Sequence, residues 1–154
     1  MTYFLFKTIH ILGVIILVGN VTVTFIWKVY ADGTRDPAVV SFAQRLVTWT
    51  DWAFTAGGAV LIIVGGYGMT VVGNLDPIGI GWLFWSQVWF YGIGVVWLFV
   101  LVPIQVVQAR QAREFAVTGT IPASYWRLCW YWNIFGITAT VPFLYVLYLM
   151  VAKS

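Results

Sequence analysis

Four apolar stretches, about 3–29, 46–73, 80–108 and 124–151, take up most of this 154-residue chain, and each is long enough to cross a bilayer. A helical crossing needs roughly 20 apolar residues. In hydrocarbon every backbone N–H and C=O must be paired within its own segment, so stretches of this length fold as helices. Only 8% of the residues are charged and 62% are hydrophobic, against roughly 25% charged in a soluble domain. The expected fold is all-α: an integral membrane four-helix bundle forming a single domain over residues 1–154.

Tyr30 to Arg45 contains Asp32, Gly33 and Asp36-Pro37, which are turn and helix-start signals. A short interfacial helix is expected over Pro37 to Arg45. Gly73-Asn74-Leu75-Asp76-Pro77 reads as a tight turn, and Arg110 to Pro122 as a polar loop. Pro103 and Pro142 are expected to kink the third and fourth helices. The first apolar stretch is too long for a signal h-region and lacks a basic n-region and a cleavage pattern, so it reads as a retained helix.

Lys28, Arg35, Arg45, Arg110, Arg113 and Arg127 gather at one end of the expected bundle, and Lys7 and Lys153 at the other. Lys and Arg excess marks the cytoplasmic side, which puts both termini on the non-cytoplasmic side. Trp82 and Trp85 near the outer end, with Trp126 and Trp130 near the inner end, read as aromatic belts. A net charge of +3, carried in the loops, suits orientation in a membrane rather than nucleic-acid binding. The expected partners are the lipid bilayer and either a second copy of the chain or a larger membrane complex.

One face of the first helix is unlike the rest. Lys7, His10, Gly13, Leu17, Asn20, Thr24 and Lys28 follow one another at steps of three and four, which is helical periodicity. Ionisable groups in lipid face a bundle interior or a wet pocket, so this stripe faces inward, and it holds the only histidine. His10 is therefore a candidate ligand or proton-handling group, or else a structural hydrogen-bond partner of another helix. Lys7, one turn away, either snorkels to the outer headgroups or meets an anion such as a haem propionate. Met69 and Met150 lie towards the same outer end. Imidazole and thioether ligate haem iron and copper, although methionine also serves as a core gap filler. Gly57, Gly58, Gly65, Gly66 and Gly68 in the second stretch either let helices approach closely or leave a slot for a flat cofactor.

A second group lies at the other end. Asp51 is expected about one turn inside the second helix, at a depth shared with Lys28, Arg45 and Arg127. An ion pair pinning helix ends is one reading, and an inner proton or anion gate the other. Asn20 and Thr24 would extend a polar path from His10 towards Asp51, joined by Asn133, Thr138 and Thr140. The sequence has no Gly-x-Ser-x-Gly elbow, phosphate loop or HExxH, so a hydrolase or ATPase has no support. A lone Cys129 excludes an internal disulfide and any multi-cysteine zinc or iron–sulfur site in one chain, and a lone histidine excludes a bis-histidine haem.

Tyr3-Phe4-Leu5-Phe6-Lys7-Thr8-Ile9-His10-Ile11-Leu12-Gly13 resembles the start of a bacterial integral membrane family catalogued as a domain of unknown function. The resemblance continues through Val18-Gly19-Asn20-Val21-Thr22, Arg35-Asp36-Pro37-Ala38-Val39, Asp51-Trp52 and Thr55-Ala56-Gly57-Gly58. It implies a multi-pass protein of the bacterial cytoplasmic membrane. The Tyr-x-x-x-Lys-x-x-His-Ile core is also similar to the first helix of the HemJ-type protoporphyrinogen oxidases, which bind haem b, and of the CopD-type copper-resistance proteins. That likeness implies that His10 matches the histidine associated with haem; later helices hold no second histidine motif. Three functions follow: a haem b redox protein with His10 and Met69 as ligands and Lys7 as propionate partner; a copper-handling protein using His10, Met69 and Met150; or a non-enzymatic subunit of a larger complex with no cofactor.

Overall fold

The structure, a computed structural model, describes residues 1–153. Four helices, α1 (Thr2–Thr34), α2 (Pro37–Val72), α3 (Gly81–Thr118) and α4 (Ala123–Ala152), are each long and apolar enough to cross a membrane. The described residues contain no strand.

The helices run further than hydropathy suggests, because local end signals rather than polarity terminate them. The 30–45 connector shrinks to two residues. Arg35 adopts a left-handed conformation (φ 54°) and ends α1. Asp36 then caps α2, accepting from the Ala38 N–H at 2.8 Å, with Pro37 in the first turn. Proline there gives up only an N–H that a helix start leaves unpaired. The separate interfacial helix expected over 37–45 is thus the first part of α2. Likewise, 110–122 is not a loop. Helix α3 continues to Thr118, and Gly119 (φ 73°) closes it by donating to the Phe115 carbonyl at 2.9 Å. The 36 and 38 residues of α2 and α3 exceed what a hydrocarbon core about 30 Å thick requires, so both extend past it.

Both long helices contain a wide π turn, Asp51–Ala56 in α2 and Trp97–Leu101 in α3. The second lies just before Pro103, which has no N–H for the Phe99 carbonyl and crowds it. The first has no proline. Upstream of it the Thr48 and Thr50 hydroxyls bond back to the Gln44 and Val47 carbonyls at 2.9 and 3.2 Å, a competition that bends helices. Pro142 is accommodated inside a continuous α4.

The chain forms two compact units. The first comprises Met1–Leu75 with Ala112–Ile121; the second comprises Asp76–Gln111 with the residues from Pro122 on. In the first, α1 and α2 lie antiparallel in close contact. A Cβ added to Gly13 would fall 2.8 Å from the Gly58 oxygen, and one added to Gly65 would fall 2.5 Å from the His10 nitrogen. Only glycine permits that approach. Val40, Ala43 and Val47 of α2 are buried in this unit at helical spacing, as are Ala112 and Phe115. In the second unit the buried positions are Leu83, Ser86, Leu101, Gln105 and Gln108 on α3, and Tyr125, Cys129, Trp132, Val146 and Leu149 on α4. Trp89 and Tyr145 meet edge to face at 6.3 Å, a favoured aromatic geometry.

Candidate functional site

The polar stripe of α1 does face α2, and the glycines decide how. Gly13, Leu17, Thr24 and Lys28 are buried, His10 and Asn20 half-buried, and Lys7 exposed. His10 is level with Ile62, Gly65 and Gly66; Gly13 and Leu17 with Gly58; Asn20 with Asp51 and Thr55. Polar groups therefore meet at two levels of one seam.

At the outer level, His10 Nδ1 donates to the Ile62 carbonyl at 2.8 Å. A carbonyl can only accept, so in the neutral ring the proton sits on Nδ1 and Nε2 keeps its lone pair. Gly66 lies beside the ring, where an added Cβ would be 3.4 Å from Nδ1. Gly65 faces the backbone of Phe6 and His10, and Gly68 the ring of Phe6. The flat slot considered for these glycines is thus filled by α1 itself, and close packing is what they provide; Gly57 alone of the five has open space. Met69 is three residues beyond Gly66, one turn outward on the face that meets α1. Met150 is half-buried in the second unit.

At the inner level, four side chains close a network. Asn20 Nδ2 donates to Asp51 Oδ1 at 3.1 Å and to Thr55 Oγ1 at 3.0 Å. Thr55 Oγ1 donates to Asp51 Oδ1 at 3.1 Å, and Thr24 Oγ1 donates to Asn20 Oδ1 at 3.2 Å. Asp51, Thr24 and Thr55 are all at least nine-tenths buried. The π turn carries both Asp51 and Thr55. Lys28, 1% exposed, is one turn beyond Thr24 and forms an ion pair with Asp32 at 2.5 Å.

Several sequence expectations change. The polar path from His10 to Asp51 is interrupted, because Gly13 and Leu17 pack directly on Gly58 between the two levels and leave no room for a polar chain. Arg45 and Arg127 are exposed, their long cationic side chains extending towards water, while buried Lys28 forms an ion pair with Asp32 on its own helix. Thr138 and Thr140 are exposed on α4, where Thr140 satisfies its hydroxyl on the Gly136 carbonyl at 2.9 Å. Asn133 is half-buried. Thr55 escaped the sequence reading, although its i, i+4 spacing from Asp51 was a signal for it. Gln108 escaped as well: it is fully buried and donates to Cys129 Sγ at 3.2 Å.

A family model described as predicted integral membrane protein (DUF2269) matches residues 4–154. The chain belongs to that family. The match takes in both levels of the α1–α2 seam and all four helices. No curated protein and no solved structure matches the chain. Family membership makes the chain an integral membrane protein and assigns no chemistry, so the functional reading rests on the seam.

Proposed function

We propose that this chain is a multi-pass protein of the bacterial inner membrane, both termini on the non-cytoplasmic side, in which His10 ligates a redox metal, the iron of haem b. The observation that carries this reading is the bond from His10 Nδ1 to the Ile62 carbonyl. It fixes the ring orientation and leaves Nε2 as the basic nitrogen, the arrangement ligating histidines generally have. The likeness of the first helix to haem-binding HemJ-type proteins points to the same residue.

His10 would hold the iron as the one imidazole ligand of this seam. A haem does not fit between the glycines and α1, since α1 fills that space. Met69 is the candidate second ligand, and exposed Lys7 is available to an anionic substituent. A bound haem would supply one-electron chemistry. The chain supplies the imidazole, holds its proton on Nδ1 and ties the ring to the α2 backbone. The same imidazole and thioether would suit Cu(I).

A second reading, an accessory subunit of a larger membrane complex, is supported by how little of each span the chain covers. In the most apolar part of α3 and of α4 only 11% of residues are buried, leaving surface for lipid or for a partner.

The test is an absorption spectrum of the purified full-length protein, air-oxidised and then reduced with dithionite, with metal analysis of the same sample. A Soret band that shifts on reduction, with about one iron per chain, and its loss in His10→Ala are the expected results. Copper with a featureless spectrum replaces haem by copper. Neither metal, with no uptake of added haem and a copurifying protein, leaves the accessory reading.

A further inference from the structure

The first part of α2 has a second face, turned away from its buried one. Val40, Ala43 and Val47 are buried, whereas Phe42, Arg45 and Trp49, at steps of three and four, are exposed and Leu46 is half-buried. These last four residues line an open cleft of about 330 Å³, and Arg45 is its one charge. Arg45 has no hydrogen-bond or ion-pair partner among the described residues. None of the positions one turn away on α2, Ser41, Phe42, Thr48 and Trp49, is acidic. The cleft also has a defined depth. Arg45 immediately precedes the apolar stretch 46–73, and exposed Trp49 and Trp52 just inside that stretch mark a membrane–water boundary. The guanidinium is thus at the level of lipid headgroups. From Trp52 to Val72 every exposed residue of α2 is apolar or aromatic, so the cleft opens onto a surface suited to acyl chains.

We propose that Phe42, Arg45 and Trp49 form a headgroup site for one anionic phospholipid, with the guanidinium on its phosphate and its acyl chains along α2. The planar fork of arginine matches phosphate oxygens two at a time, and its unpaired charge complements a lipid of net negative charge. An exposed ion pair by itself is weak. A free phosphate would therefore gain little here and would leave both rings in water. A phospholipid supplies the anion and the apolar cover together. An acidic peptide in water would meet the cleft but not the apolar run below it. The site is independent of whether His10 binds iron.

The full-length protein in detergent is titrated with phosphatidylglycerol and, separately, with phosphatidylcholine of the same acyl chains, and native mass spectrometry counts the bound lipids. The first phosphatidylglycerol binds more tightly than phosphatidylcholine, and inorganic phosphate does not displace it. Arg45→Gln weakens that first binding step by about fivefold and leaves phosphatidylcholine unchanged. Arg45→Lys, which keeps the charge and loses the fork, falls between. Arg113→Gln, at an exposed cation outside the cleft, leaves the step in place. Arg45 is exposed, so its variants keep the fold, which an unchanged unfolding midpoint checks. Equal affinity for the two lipids, an undiminished step in Arg45→Gln, or an equal loss in Arg113→Gln overturns the site and leaves only diffuse surface charge. Displacement by inorganic phosphate makes it a free-anion site, and a copurifying protein released by Arg45→Gln makes it a protein contact; either overturns the lipid assignment.

Discussion

The two hairpins use glycine in opposite ways. In the first, Gly13, Gly58 and Gly65 bring backbone against backbone, and an added Cβ at any of them would lie 3.0 Å or less from a neighbouring atom. In the second, Gly81, Gly92, Gly94 and Gly136 have nothing within 4 Å of that position, and the pair is held by larger groups such as Trp89 on Tyr145 and Gln108 on Cys129. Lipid tails are as apolar as leucine, so helices in a membrane gain by close packing and by polar contacts. The first hairpin combines the two and thereby fixes a histidine and a carboxylate at set heights. The second spreads its contacts over side chains that can adjust.

The contrast is sharpest at Gly65. Gly65→Ala should lower stability by about 3 kcal/mol or more, because the new methyl meets α1 backbone that cannot rotate away; denaturant titration in detergent measures it. Gly136→Ala in the second hairpin should leave stability unchanged or raise it by about 0.5 kcal/mol, and a loss matching that of Gly65→Ala would erase the distinction. Asn20→Ala removes two bonds from Asp51 and Thr55 and should cost about 1–2 kcal/mol in the same titration. Gln108→Leu should cost about 0.5 kcal/mol or less: its Oε1 is buried without a partner, so an apolar side chain of similar size gives up little.

The smallest effect belongs to the loop between α2 and α3. The backbone N–H groups of Gly79 and Ile78 hold the Asp76 carboxyl below its ordinary value of 3.8, the second at 2.9 Å. A depressed value in the folded state means that the contribution is present above the unfolded value and fades as pH falls through the folded one. Carbon-detected titration of Asp76 should therefore find its midpoint below 3.8. The loop amide shifts of Ile78 and Gly79 should move with it, and Asp76→Asn should remove the response.

The number of spans and the inward face of α1 were legible because hydropathy and helical periodicity are local properties. Helix ends were legible only in part. Arg110, Arg113 and Glu114 look like loop residues, yet they belong to a helix that leaves the hydrocarbon before it stops at Gly119. Asp51 could be singled out as an ionisable residue in an apolar span, and Thr55 lies one turn from it on the same helix, but the bond from Asn20 depends on the register between α1 and α2.

By itself, then, the sequence determined four membrane-spanning helices, a polar stripe on the first and two ionisable residues within the apolar spans, His10 and Asp51. Those follow from the cost of placing charge and unpaired backbone in lipid. The tertiary structure alone decided that Gly58, Gly65 and Gly68 of α2 pack against α1, that His10 Nδ1 donates a hydrogen bond to the Ile62 carbonyl, and that the polar groups form two separate levels instead of one path. Each of these depends on the height at which two helices lock together, and that height is set where Gly13, Gly58 and Gly65 let the backbones touch.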